Sequence, residues 1–146
     1  MCHRFPSLRI LRPDEMAATI FDVDFDRLLS ERKTVLLFDL DGTLGRGRPD
    51  RLDPRVESLF ERLTSVGFRI GILSNRRTRR GSIVSNLNGR FPAVFRAGKP
   101  ARRAFRRILS EMDAHPGDAV MIGDRRLTDV LGARWAGIRS ILVGKA

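Results

Sequence analysis

Five short apolar runs punctuate the chain: VLLF at 35–38, FRIGIL at 68–73, AVF at 93–95, AVMIG at 119–123 and RSILV at 139–143. They constrain the fold more than any other feature. The first is apolar without alternation, the pattern of a strand covered on both faces. Amphipathic stretches separate the runs. Asp53 can cap a helix with Pro54 in its first position, Val56, Leu59, Phe60, Leu63 and Val66 form its apolar stripe, and Gly67 stops it. A second helix is expected from Pro100 to about Met112, with Ala101, Ala104, Phe105, Ile108 and Leu109 on its inner side. Weaker helical patterns cover 76–88 and 127–136; the latter holds Trp135, assigned to the core. Strands alternating with helices require crossover connections. The spacing therefore predicts an α/β domain with a mostly parallel five-stranded sheet and helices on both faces. Residues 14–31 are expected to form one or two short helices. This divides the chain into a lead-in, 1–34, packed on a core, 35–146.

Length and composition narrow the class. A chain of 146 residues suits one domain with a real core, and 42% hydrophobic with 31% charged residues excludes disorder. No apolar run approaches the roughly 20 residues of a membrane span. The stretch MCHRFPSLRILRPDE carries no signal-peptide core, so a cytoplasmic location is expected, with surface attachment to a membrane left open. Cys2 is alone, which excludes an internal disulfide and a cysteine metal cluster; His3 and His115 have no ligand spacing. The net charge is +11, and of 28 basic residues only Lys33, Lys99 and Lys145 are lysines. That balance reads either as compositional bias or as an anionic partner: phosphate groups, nucleic acid or acidic lipid.

In a doubly wound sheet, ligands bind beyond the carboxyl ends of the strands, where the winding reverses. Asp39, Asp41 and Thr43 follow the first run, Ser74 and Asn75 the second, Lys99 the third, and Asp124 with Asp129 the fourth. Any one of these residues alone could be a cap or a turn. Caps do not explain four consecutive strand ends carrying polar groups of compatible type. Two acids one residue apart are tolerated where a hard cation offsets them, and Mg2+ takes oxygen ligands. Asp39 and Asp124 would each supply one oxygen. A carboxylate aligned with a phosphoryl group can attack phosphorus, and a second acid beside it can protonate the leaving oxygen and then activate water. Ser74 and Lys99 would bind the phosphoryl oxygens.

The ordered motifs DLDGT, SN, GKP and GDRRLTD resemble those of the haloacid dehalogenase (HAD) phosphohydrolase superfamily. LRPDEMAATIFDVDFDRLLSERKTVLLFDLDGTL, KPARRAFRRILSEM and GDRRLTDVLGARWAGIRSILV resemble its YqeG-like IIIA branch, so the likeness runs from about Leu11 to Val143. The resemblance implies a Rossmann-like sheet, Mg2+, Asp39 as nucleophile and Asp41 as general acid/base. It also implies a phosphate-binding set of Thr43, Ser74, Asn75 and Lys99. Asp39, the backbone carbonyl of Asp41, and Asp124 are the implied metal ligands, supported by Asp129. Gly42, Arg76 and Arg125 depart from residues frequent in that branch, and the two arginines raise the positive charge around the site.

Many HAD enzymes carry a cap domain inserted after the first or second motif. Here 44–73 and 76–98 are too short for one. An open site suits a lipid headgroup, a phosphorylated macromolecule, or closure by another subunit in a homo-oligomer. The resemblance makes an anionic lipid phosphate, phosphatidylglycerophosphate, the leading substrate, with peripheral membrane contact; the cluster RRTRR at 76–80 is the candidate contact. The alternatives are a phosphatase for a sugar phosphate, nucleotide or nucleic-acid end, and a basic nucleic-acid-binding domain with a vestigial site. The chain has no Tyr and one Trp, hence no aromatic platform for single strands. Receiver domains also combine Asp, Ser/Thr and Lys with magnesium, but their acidic pair comes early and their phosphoacceptor later, the reverse of the order here.

Overall fold

The structure is a computed structural model that describes residues 6–78 and 80–146; Cys2, His3 and Arg79 lie outside the described residues. Its strands are β1 (Glu15–Ala17), β2 (Val35–Phe38), β3 (Arg69–Leu73), β4 (Ala93–Val94), β5 (Ala119–Gly123) and β6 (Arg139–Val143). Its α-helices are α1 (Phe25–Ser30), α2 (Pro54–Ser65), α3 (Ser82–Leu87), α4 (Arg102–Glu111) and α5 (Leu131–Ala136). The strands form one parallel sheet in the order β1-β6-β5-β2-β3-β4.

The sheet has six strands, not the five expected. The extra strand, β1, comes from the lead-in, which reads as helical in sequence. Glu15–Ala17 has no strand signature of its own and forms by pairing with Ile141–Val143 of β6. Asp14 anchors it: its carboxylate accepts from the Ser140 backbone N–H at 2.9 Å, and its own N–H donates to Ser140 Oγ at 3.1 Å. A single turn at Ile20–Asp22, closed by a Thr19–Asp22 capping box, leads into α1.

β2 alternates its side chains between two cores. Leu36 and Phe38 pack with α1, α2 and α3 through Leu28, Val56, Phe60, Leu63 and Ile83. Val35 and Leu37 pack with α4 and α5 through Phe105, Ile108, Met112 and Ala133. Helices thus cover both faces, as the alternation requires. α2 begins as expected, with Asp53 accepting from the Arg55 N–H at 2.8 Å. Several local expectations change. The pattern over 76–88 yields only Ser82–Leu87, because its buried face is just Ile83 and Leu87 and Gly81 enters at φ 121°. Residues 126–130 form a wide turn of π type before α5. Trp135 is 44% exposed rather than core, since the six-residue α5 buries Leu131, Gly132 and Ala133 instead. Val66 likewise stands 55% exposed at the end of α2, and Ala101 is exposed because α4 starts only at Arg102, which leaves Ala101 as its N-cap rather than on its inner face.

Register places the chemistry. Phe38 lies opposite both Ile72 of β3 and Ile122 of β5, so the carboxyl ends of these strands share one edge. The chain winds outward from β2 through β3 to β4, then returns to β5 and β6 on the other side. The reversal falls between β2 and β5, and the chain emerges there at Asp39 and Asp124. Among the described residues no inserted domain interrupts β2 to α2 or β3 to β4, and no helix is long and apolar enough to cross a membrane.

Candidate active site

The Asp39 backbone N–H extends the β2–β5 ladder to Ile122 at 3.0 Å, which holds its carboxylate at the floor of a cleft. Asp39 as a residue is 6% exposed, beside Lys99 at 5%. Lys99 Nζ donates to Asp39 Oδ1 at 2.9 Å and to Asp129 Oδ1 at 2.7 Å. Burial alone would drive the ammonium toward neutrality, but Asp129 and Asp39 outweigh it and hold the Lys99 pKa above its ordinary value. Lys99 is therefore a fixed cation. Asn75 sets where it enters: its carboxamide accepts from the Lys99 N–H at 2.8 Å and donates to the Lys99 carbonyl at 3.0 Å. Both ends of that carboxamide are thus engaged with backbone.

Asp129 has both oxygens occupied, Oδ1 by Lys99 and Oδ2 by the Arg125 N–H at 3.2 Å. Its pKa is pushed up to about 6, first by burial and also by Asp39, against the pull of Lys99. Thr43 Oγ1 lies 3.1 Å from Asp124 Oδ1 and 3.4 Å from Asp39 Oδ2. Its one proton favours the shorter contact, which ties β2's loop to the end of β5. Burial and the Asp39 charge raise the Asp124 pKa, while the Thr43 bond opposes them. Ser74 Oγ accepts from the Arg76 N–H at 3.0 Å, leaving its own proton for a ligand.

Asp41 differs from its neighbours. Its Oδ1 is buried with no hydrogen-bond partner among the described residues, and Arg76 Nη1 stands 3.7 Å away. Burial raises its pKa, Arg76 lowers it and Asp39 raises it, with a net rise. A carboxyl that keeps a proton more readily than usual suits proton transfer.

The donor set fits a hard divalent cation. Single oxygens of Asp39, Asp124 and Asp129 lie within 4.8 Å of one another. Both Asp129 oxygens are engaged, by Lys99 and Arg125, whereas Asp39 and Asp124 each keep an oxygen with no strong partner. Gly42 makes room for them. It has φ +78°, and a Cβ there would stand 2.7 Å from Asp124 Oδ2. Gly123 does the same for the next turn, since its Cβ would stand 2.2 Å from Asp129 Oδ2.

One cleft of about 510 Å³ gathers Asp39, Asp41, Ser74, Asn75, Lys99 and Asp124, with Thr43 buried behind them. Gly42, Gly47, Arg48, Arg76, Arg77, Arg125, Thr128, Lys145 and Ala146 complete its walls. Sequence reasoning missed Arg48, Thr128 and Lys145. The strand-end rule could have found Lys145, two residues past β6, whereas Arg48 belongs to a Gly/Pro/Arg loop whose path sequence does not predict.

A family model described as "HAD-hyrolase-like" matches residues 96–145. Probable phosphatase YqeG of Bacillus subtilis (strain 168) is 35% identical over 131 residues, spanning 90% of this chain and 76% of that protein. The chain belongs to the YqeG-like phosphatases of the HAD superfamily. Ribonucleotide monophosphatase NagD of Escherichia coli (strain K12) is 38% identical over 60 residues, 41% of this HAD chain but 23% of its own length. The fold recurs in the cobalt-bound deoxy-D-mannose-octulosonate 8-phosphate phosphatase of Haemophilus influenzae, with TM-score 0.57, 15% identity, and coverage of 77% of this chain and 70% of that one. The protein is thus a HAD phosphatase with an acidic cluster able to hold the divalent metal such enzymes use.

Proposed function

We propose that this phosphatase hydrolyses an accessible phosphomonoester through a covalent intermediate on Asp39, with Mg2+ as its cation. The observation that carries the reading is the division of the two acids: Asp39 is held by Lys99 at 2.9 Å, while Asp41 has a buried oxygen without a hydrogen bond and a raised pKa. One Asp39 carboxylate oxygen bonds to phosphorus as the bond to the leaving alcohol breaks, and Asp41 gives that alcohol its proton. Asp41 then takes a proton from the water that attacks phosphorus, releasing phosphate and restoring the Asp39 carboxylate. Lys99 and the Ser74 hydroxyl receive the phosphoryl oxygens, Thr43 steadies Asp124, and Asn75 and Asp129 keep Lys99 in place. Asp39, Asp124 and the Asp41 backbone carbonyl would hold Mg2+, which supplies charge neutralisation for the phosphoryl group when bound.

The absence of a cap among the described residues supports a substrate presented from a surface, and the charge of +11 supports an anionic one. Phosphatidylglycerophosphate at a membrane facing the cytoplasm meets both conditions and is the leading substrate. The lead-in, 1–34, acts as a support for the core, 35–146. Phosphate release with and without Mg2+, on wild type and Asp39→Asn, tests the mechanism. The variant should fold normally and release nothing above background. Substantial Mg2+-dependent release by Asp39→Asn would overturn the covalent route.

A further inference from the structure

The charges within the cleft do not balance. Near the floor, Asp39 and Asp129 share Lys99, and Asp41 faces Arg76. Asp124 and Asp39 remain for the metal. Four more cations line the same cleft, Arg48, Arg77, Arg125 and Lys145, against one further anion there, the Ala146 carboxylate. All four are exposed, and among the described residues none of them makes an ion pair. A phosphoryl group carries at most two negative charges, so a site serving that group alone has cations left over.

These four are not loose surface charges, because the backbone beside each is tied to the site. Pro49, next to Arg48, accepts from Arg76 Nη1 at 2.7 Å. The N–H of Arg76, next to Arg77, donates to Ser74 Oγ at 3.0 Å. The Arg125 N–H donates to Asp129 Oδ2 at 3.2 Å. The N–H of Ala146, next to Lys145, donates to the Gly42 carbonyl at 2.8 Å. The cations stand on anchored backbone around one opening, a preorganised arrangement that favours anion binding.

We propose that the cleft binds two anionic groups of one substrate: the phosphoryl group over Asp39 and Lys99, and a second phosphate, phosphodiester or carboxylate on the leaving side, held by Arg48, Arg77, Arg125 and Lys145. This inference rests on the phosphatase reading and adds the class of leaving group. A soluble bisphosphate and a lipid headgroup present the same chemistry.

Two matched pairs of probes separate these sources. Fructose 6-phosphate and fructose 1,6-bisphosphate differ by a soluble second phosphate. Phosphatidic acid and phosphatidylglycerophosphate, in neutral detergent micelles, differ by a phosphodiester on a lipid. Wild type should favour the two-anion member of at least one pair by about 10-fold or more in kcat/KM, the scale of one or two charge-assisted contacts. Preference in both pairs supports recognition of the anion itself. Preference in one pair alone supports the inference and names the source. In the double variant Arg48→Gln, Arg125→Gln, and in Lys145→Gln, that preference should shrink toward unity, with folding checked by circular dichroism. On wild type alone, added salt should raise KM more steeply for the two-anion member. Turnover of para-nitrophenyl phosphate with no preference in either pair, or a preference untouched by the variants and by salt, overturns the inference and leaves the phosphatase reading standing. No release from any substrate overturns that reading and this inference with it.

Discussion

Lys99 is a buried ammonium between two carboxylates, and its removal would leave Asp39 and Asp129 facing each other at the floor of the cleft. Breaking a buried pair from one side costs about 3–5 kcal/mol, because the remaining charge stays desolvated. Lys99→Met should therefore lower unfolding stability in chelator-treated protein by about that amount, measured by urea titration. Stability equal to wild type would show that the carboxylates are not charged there. Asp41 makes a different prediction. Its buried oxygen has no hydrogen bond to lose, so Asp41→Asn should leave folding and Mg2+ binding near wild type. Proton transfer contributes about 10²–10⁴-fold to rate, and kcat should fall by that order. Metal affinity lost as fully as in Asp124→Asn, read by calorimetry, would sink this division of roles.

At the scale of elements, the turn after β5 is the tightest joint of the site. Asp129 returns over Gly123 and reaches Lys99 only because Gly123 has no side chain; a Cβ there would stand 2.8 Å from the Asp129 Cβ. Gly123→Ala must push the 126–130 turn off the strand. Overpacking of this kind costs about 1–3 kcal/mol, and Lys99 would shift with its partner. A lowered Tm together with lost phosphatase activity is expected, and a fully active variant of wild-type Tm would show that the turn relaxes freely. β1 is the opposite case. Its residues have little strand character, yet the Asp14–Ser140 bonds and the open edge of β6 bring it into the sheet. Edge pairing rather than propensity made the sixth strand.

For the whole molecule, the charge of +11 and the cation-lined cleft bear on approach to a substrate surface. Each basic residue near an anionic bilayer contributes about 1 kcal/mol, over a Debye length of about 8 Å at physiological salt and about 3 Å at 1 M. Co-sedimentation with phosphatidylglycerol-containing vesicles should therefore be strong at low salt, fall by orders of magnitude at 1 M, and be absent with neutral vesicles. Equal binding to neutral vesicles would remove electrostatics as the cause. The cluster at 76–80 divides under this view: Arg76 points inward to Asp41 and Pro49, Arg77 lines the cleft, Arg80 is exposed, and Arg79 lies outside the described residues.

The sequence by itself determined the alternation of strand and helix, and with it the parallel sheet and the edge where polar residues collect. Apolar periodicity and strand-end position are local signals, and they assign Asp39, Asp41, Ser74, Lys99 and Asp124 to one cleft, where the fold brings them together. Tertiary structure decided what has no local signal. Pairing across the chain turned Glu15–Ala17 into a strand, and the shortness of α5 left Trp135 in solvent. Packing alone set Asn75 to clamp the Lys99 backbone and left Asp41 without a hydrogen bond. It also brought Arg48 and Lys145, 97 residues apart by their numbers, to one opening, since a loop's path depends on contacts that no stretch of sequence contains.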